Sequence, residues 1–241
     1  MNETPERKEP ETVEKPKKKK VEPITTKANK KGRHINGWMN FLRICIAPLV
    51  RLFYPFRFYG NRKVKDGAGL YVMNHYRMVD PIYPISTTWE GIHFIGKKEV
   101  FSMPVYGFFC RKVKLIGVNR DGADIRGFMD ALKCLKNGEK VAIFPEGTRN
   151  KTNEPFLPFK SGAAMIAIRA KAPVIPIVIY HKARLFRTSH ILIGDPFELT
   201  EYYDQKLTDE LLKEADEKIL QKLSAMREEH TKFLEEKKKR K

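Results

Sequence analysis

Apolar residues in this chain come in short runs separated by glycine, proline and charge, and those runs lie in its middle. Gly69–Met73, Leu115–Val118, Lys140–Phe144, Val174–Tyr180 and Ile191–Ile193 are rich in β-branched and aromatic residues, which predicts buried strands. Ile125–Leu135 and Ser161–Ala170 carry their apolar residues at helical spacing and predict helices between strands. After Thr208-Asp209, the stripe Leu211, Ala215, Ile219, Leu223 and Met226 predicts a C-terminal helix packed on the core. The alternation predicts a single α/β domain with a central, mostly parallel or mixed β-sheet layered by helices. No internal repeat is visible.

Trp38 to Tyr59 has a different pattern. It is dense in aromatic and aliphatic residues, yet Arg43, Arg51, Arg57, Pro48 and Pro55 interrupt it. A spanning helix needs ~20 mostly apolar residues, and one arginine near its centre costs ~2.5–3.5 kcal/mol. The pattern therefore predicts a short N-terminal membrane-associating segment: two short helices lying in the interface, arginines at phosphate level and aromatics at the acyl boundary. A helix packed on the core is the competing reading.

The chain has 241 residues, 41% of them hydrophobic, enough for one domain with a substantial core. Its formal charge of +18 points to an anionic partner, and an anionic membrane surface attracts such a chain. Much of the charge sits in the tails, and no nucleic-acid reading motif is present, so nucleic acid is disfavoured as a partner. The expected organisation is a disordered basic tail over 1–33, an interfacial helical membrane-binding segment over 36–58, an α/β catalytic domain over 59–200, and a C-terminal helix with basic tail over 201–241. Lys17 to Lys20 reads as a solubilising tail, with attraction to acidic headgroups as the alternative. Cys45, Cys110 and Cys134 are scattered and odd in number, which suggests reduced thiols inside a cell.

Two strings carry chemistry. Asn74-His75-Tyr76-Arg77-Met78-Val79-Asp80 places an imidazole five residues before a carboxylate, at the C-terminal end of a predicted strand. Residues five apart on a continuous helix sit ~140° apart around the axis, whereas a turn entering a helix can bring them together. Asp80-Pro81 reads as an N-cap followed by proline at the first helical position. Phe144-Pro145-Glu146-Gly147-Thr148-Arg149 follows a second strand; Gly147 lets the backbone approach an anion, and Arg149 offers a planar fork for phosphate. Taken singly, His75 is as well explained as a structural histidine and Asp80 as a plain cap. Together the strings supply a base, a group to orient it and a cradle for phosphate, the requirements of acyl transfer onto a hydroxyl. No Gly-x-Ser-x-Gly elbow, cysteine-nucleophile signature or metal motif is present.

These residues resemble the 1-acylglycerol-3-phosphate (lysophosphatidate) acyltransferases, within the wider glycerolipid acyltransferases. The resemblance runs from about Tyr59 to Phe197 in four blocks: Asn74-His75 to Asp80-Pro81, Leu115 to Arg120, Phe144 to Arg149, and Val174 to Ile179. It implies that His75 is the general base and Asp80 orients it. It implies that Arg120, Glu146, Gly147, Thr148 and Arg149 bind the glycerol-phosphate part of the acceptor. Lys160 is a further candidate for anion contact, or a solvated lysine. Asn119 stands where the family often carries an acidic residue, and Arg77 either adds a phosphate contact or reaches solvent.

The implied reaction takes an acyl group from acyl-CoA or acyl-carrier protein to lysophosphatidate and forms phosphatidate, with no cofactor, no metal and no covalent enzyme intermediate. The expected location is the cytoplasmic face of the cell membrane, peripheral or monotopic. Other acceptors stay open at this point: glycerol 3-phosphate, a lysophospholipid, or a phosphate-free lysolipid. So does a lipid-binding protein without catalysis.

Overall fold

A computed structural model of the protein describes residues 24–239 apart from 63, 120–123 and 161. Seven strands form one sheet in the order β1-β7-β6-β2-β5-β3-β4. In sequence they are β1 (Phe56–Gly60), β2 (Gly69–Met73), β3 (Ile92–Lys97), β4 (Ile116–Val118), β5 (Lys140–Ile143), β6 (Val174–Ile179) and β7 (Ser189–Ile193). β6 and β7 pair antiparallel, and the other strand pairings are parallel. The helices are α1 (Gly37–Phe41), α2 (Ala47–Phe53), α3 (Ile82–Ile85), α4 (Pro104–Lys112), α5 (Ile125–Lys136), α6 (Ala163–Ala170) and α7 (Asp209–Lys239).

β2 lies in the middle of the sheet with every residue buried. Leu70 and Val72 pack among apolar residues of α5, α6 and α7 on one face. Tyr71 and Met73 pack on the other among Met39, Ala47, Ile82 and Ile85 of α1, α2 and α3. A strand covered on both faces has no polar side to show, so it reads as an unbroken apolar run. Leu212, Ala215, Ile219 and Leu223 turn the buried stripe of α7 onto α6 and β6. No helix among the described residues is long and apolar enough to cross a membrane.

The N-terminal third differs from expectation in several places. Helix runs through 37–53 without a break, with a π-helical turn (Leu42–Ile46) joining α1 to α2. Pro48 does not divide it: it follows directly on the π-helical turn, where the regular hydrogen-bond ladder is already interrupted. Arg43 does not point toward phosphate level; its guanidinium turns inward and donates to the carbonyls of Ile85 (2.9 Å) and Glu90 (3.2 Å). The sheet begins at Phe56, inside the segment assigned to membrane contact. Residues 24–26, expected in a disordered tail, lie against the domain, with Thr26 donating to the Glu139 carboxylate from N (2.8 Å) and Oγ1 (3.1 Å). Lys17 to Lys20, like the rest of 1–23, are outside the described residues.

Two buried ionic groups close the end of the sheet where β3 and β5 begin. Lys140 pairs with Glu90 at 2.8 Å, both side chains out of water, and donates to the carbonyls of Lys65 and Gly67. Beside it, His93 meets Glu139 at 2.5 Å and the Lys114 carbonyl at 3.0 Å. Removing one partner of such a pair leaves a charge buried alone. Glu90→Ala is therefore expected to lower unfolding free energy by about 3–5 kcal/mol in urea melts, whereas the double variant Glu90→Leu/Lys140→Met recovers most of the loss. Equal destabilisation by the single and double variants would show that the pair is not what costs.

Candidate active site

β2 ends at Met73, and the next residue extends the sheet by other means. Asn74 is fully buried; its Oδ1 accepts from Ile179 N (2.8 Å) and its Nδ2 donates to Ile179 O (2.8 Å). One side-chain amide thus completes a rung between β2 and β6 after the backbone has turned away. Nδ2 also donates to Pro155 O at 3.1 Å, tying in the loop after β5. The backbone released by Asn74 presents His75 at the C-terminal edge of the sheet.

The chain then turns tightly and returns Asp80 to His75. His75 Nδ1 stands 2.8 Å from Asp80 Oδ2. The same oxygen accepts the backbone N–H groups of Tyr76 (2.6 Å) and Arg77 (2.7 Å). Asp80 is fully buried, and its Oδ2 accepts two backbone N–H groups, the setting of an ionised carboxylate that can only accept, which assigns the His75 proton to Nδ1. Nε2 then presents a lone pair, and among the described residues it has no partner. Phe144 stacks on the imidazole at 4.0 Å and 25° and fixes its plane. The expectation for Asp80 as an N-cap is corrected: Pro81 holds the cap position of α3, and the Asp80 carboxylate binds N–H groups before it rather than those of the helix after it.

The second motif meets the first through the backbone. Asn150 N donates to His75 O at 2.6 Å, and the buried Asn150 side chain donates to Glu154 O and accepts from Thr152. This residue follows the motif directly and was missed; an asparagine after a basic residue carries no signal that it pins two loops. Glu146 is 1% exposed, and neither carboxylate oxygen has a hydrogen-bond partner among the described residues. Burial pushes its pKa up to about 8, against the pull of the nearby His75 and Leu157 backbone groups and with a push from Asp80. Gly147 has φ +64°, a left-handed conformation suited to glycine. Its missing Cβ would lie 3.1 Å from Lys160 Cδ, so the lysine stem crosses the loop at that point.

Lys160 is held by its N–H to Pro145 O at 2.8 Å, and its side chain is exposed, as are those of Thr148 and Arg149. The helix after Lys160 is capped from a distance. Gly162 offers α6 no side chain, and buried Asp216 of α7 accepts Ala164 N at 3.0 Å instead. Burial raises Asp216 to about 6, offset by the N–H groups of Ala164 and Gly162. The structure thus gathers His75, Asp80, Glu146, Gly147 and Lys160, with Thr148 and Arg149 on the same loop. Arg120 lies outside the described residues. Arg77 is exposed.

The arrangement can take a proton at His75 Nε2 and hold negative charge beside it. The cluster of metal-ligand types His93, Cys134 and Glu139 sits at the opposite end of the strands. There Glu139 is occupied by Thr26, Asn137 and His93, a structural knot rather than part of this site.

A family model described as Acyltransferase matches residues 55–180. A Helicobacter pylori protein named 1-acyl-sn-glycerol-3-phosphate acyltransferase is 36% identical over 193 residues, covering 67% of this chain and 79% of that one. A Bacillus subtilis protein of the same name is 33% identical over 116 residues, covering 46% and 57%. The crystal structure of the 1-acyl-sn-glycerophosphate acyltransferase from Thermotoga maritima superposes with a TM-score of 0.59 over 79% of this chain and 80% of that one. At 22% identity that likeness speaks for the fold. With the family model covering more than half of its residues, the chain belongs to the Acyltransferase family.

Proposed function

We propose that the chain is a 1-acyl-sn-glycerol-3-phosphate O-acyltransferase, moving an acyl group from acyl-CoA or acyl-carrier protein to lysophosphatidate to form phosphatidate. The observation that carries this reading is the 2.8 Å bond from His75 Nδ1 to Asp80 Oδ2, which leaves Nε2 as a base. The names of the relatives support the acceptor.

Nε2 takes the proton of the acceptor hydroxyl as its oxygen attacks the thioester carbonyl carbon. Asp80 stabilises the imidazolium that forms. Collapse of the tetrahedral species breaks the carbon–sulfur bond, and the thiolate leaves with the proton from His75. A thioester is already activated, so one oriented base and good positioning suffice. Arg149, Lys160 and the Gly147 turn receive the acceptor phosphate, joined by Thr148 and Arg120. Glu146, with a pKa raised to about 8, is largely neutral at pH 7 and can donate a hydrogen bond to an acceptor oxygen.

The same chain carries a surface suited to a bilayer. Trp38, Phe41, Ile44, Leu49, Leu52 and Phe53 are exposed along 37–53. Exposed Phe108 continues the patch through its edge contact with Trp38 (5.4 Å), and exposed Phe186 through its contact with Phe53 (5.9 Å). A helix that buries such a row in the acyl boundary lies on a membrane without crossing it. The protein docks there as a monotopic enzyme on the cytoplasmic face.

In vesicles with oleoyl-CoA or oleoyl-carrier protein, wild type is expected to turn lysophosphatidate into phosphatidate. His75→Ala loses at least ~100-fold in kcat, and Arg149→Ala raises KM for lysophosphatidate more than for a phosphate-free monoacylglycerol. Equal rates for wild type and His75→Ala would remove His75 as base. Stability from the protonated Glu146 is fully present below its ordinary pKa of 4.5 and is lost as pH rises through about 8. The Tm of wild type should therefore fall relative to Glu146→Gln between pH 5 and 9; a constant difference would mean that Glu146 ionises normally. On neutral phosphatidylcholine vesicles, Leu49→Asp/Leu52→Asp should abolish co-sedimentation, while 1 M salt leaves wild type bound. Quantitative release of wild type by salt alone would refute apolar docking.

A further inference from the structure

A cavity of about 810 Å³ lies under the α1–α2 segment, against β1 and the 86–89 loop. Its volume falls in the range of small-molecule sites. Among the described residues, three arginines line it and no carboxylate does: Arg43 and Arg51 from the helical segment and Arg62 just after β1. The floor is apolar, built largely by Phe56 and Phe58, and Trp89 forms part of the wall.

The charge here is unbalanced. Arg43 is half-buried, and its guanidinium donates only to neutral oxygens, those of Ile85, Glu90 and the Asn40 side chain, while its plane lies 5.1 Å from the Trp89 ring. Burial lowers its pKa to about 10, the cost of holding the cation partly out of water. Arg51 lies 5.2 Å from the Phe56 ring, and neither it nor Arg62 has an ion pair among the described residues. A cationic group drawn from water is ordinarily met by an opposite charge. An apolar floor beneath three unpaired arginines is complementary to a molecule with an anionic head and a hydrocarbon chain.

We infer that this cavity is a binding site for an acidic phospholipid of the bilayer, phosphate on Arg51 and Arg62 and the upper acyl chain on Phe56 and Phe58. Access fits this occupant, because Ile44 and Pro48 belong both to the cavity lining and to the helical segment that carries the exposed apolar row. None of the residues lining the cavity belongs to the His75–Asp80 turn or to the 144–149 loop. Tyr83 of α3 packs edge-on against Phe56 at 5.2 Å, and its N–H donates to Asp80 O at 3.0 Å. A lipid held there ties α1–α2 to the bilayer at one point and gives docking a preference for acidic surfaces that an apolar row alone lacks.

The chain contains two tryptophans, so Trp38→Phe leaves Trp89 as the sole reporter inside the cavity. The probe is dihexanoyl phosphatidic acid, soluble as a monomer, titrated into the full chain carrying Trp38→Phe. A saturable change in Trp89 emission is expected, absent with dihexanoyl phosphatidylcholine, with Kd raised at least ~10-fold by Arg51→Ala/Arg62→Ala. Both arginines are exposed, so the double variant is expected to fold, which its far-UV circular dichroism and Tm check. Inorganic phosphate reproducing the response would make this a bare anion site and overturn the lipid assignment. So would an equal response to phosphatidylcholine, or an affinity indifferent to the arginines. A silent Trp89 in protein that still transfers acyl groups overturns this site and leaves the catalytic reading standing.

Discussion

One buried oxygen organises the candidate active site of this protein. Asp80 Oδ2 receives His75 Nδ1 and the N–H groups of Tyr76 and Arg77, all within 2.8 Å. Removing an ionised carboxylate from water is costly, and it is tolerated when charge-assisted bonds replace the lost hydration. Here those bonds define a turn, since three of the six residues from His75 to Asp80 aim donors at one point. The turn's shape, the imidazole's tautomer and the direction of Nε2 all follow. The other oxygen, Oδ1, is buried with no partner among the described residues, which concentrates the carboxylate's grip on the histidine side.

The sheet supplies the frame for that turn. β2 is gripped from both sides by β5 and β6, and buried on both faces, so its end is held firmly in place. Asn74 extends the ladder by one side-chain rung to Ile179, and Asn150 hangs the second motif on the His75 carbonyl. Behind them, α7 reaches across to cap α6 with Asp216 and so steadies the segment that carries Lys160. Glu146, like Asp80 Oδ1, is less well satisfied. Its carboxyl is buried with only the backbone groups of His75 and Leu157 to offset the loss of water, and burial raises its pKa to about 8.

Much of this was legible in the sequence, for identifiable reasons. The central strands read directly, because burial on both faces turns β2 and β6 into continuous apolar runs. His75 and Glu146 read because unusual residue types stood at strand ends. β3 was missed because His93 interrupts its apolar pattern, and only the distant Glu139 and Lys114 explain a histidine there. β1 was missed because Phe56 to Tyr59 follows the helical aromatic stretch without a break in composition. The cap assigned to Asp80 was wrong because local rules look forward along the helix, while its partners lie behind it. Arg43 was placed at the membrane surface on its charge alone, although carbonyl acceptors contributed from residues 85 and 90 draw it inward.

The central claim is that Asp80 fixes His75 with its proton on Nδ1 and its lone pair on Nε2. Nitrogen-15 chemical shifts and long-range proton–nitrogen couplings of histidine-labelled protein at pH 8 read this tautomer directly. The account predicts a neutral His75 with a protonated Nδ1 and a bare Nε2, changing to a mixture of tautomers in Asp80→Asn. A His75 protonated on Nε2 in the wild type would contradict it, because the nitrogen meant to accept the hydroxyl proton would already be occupied.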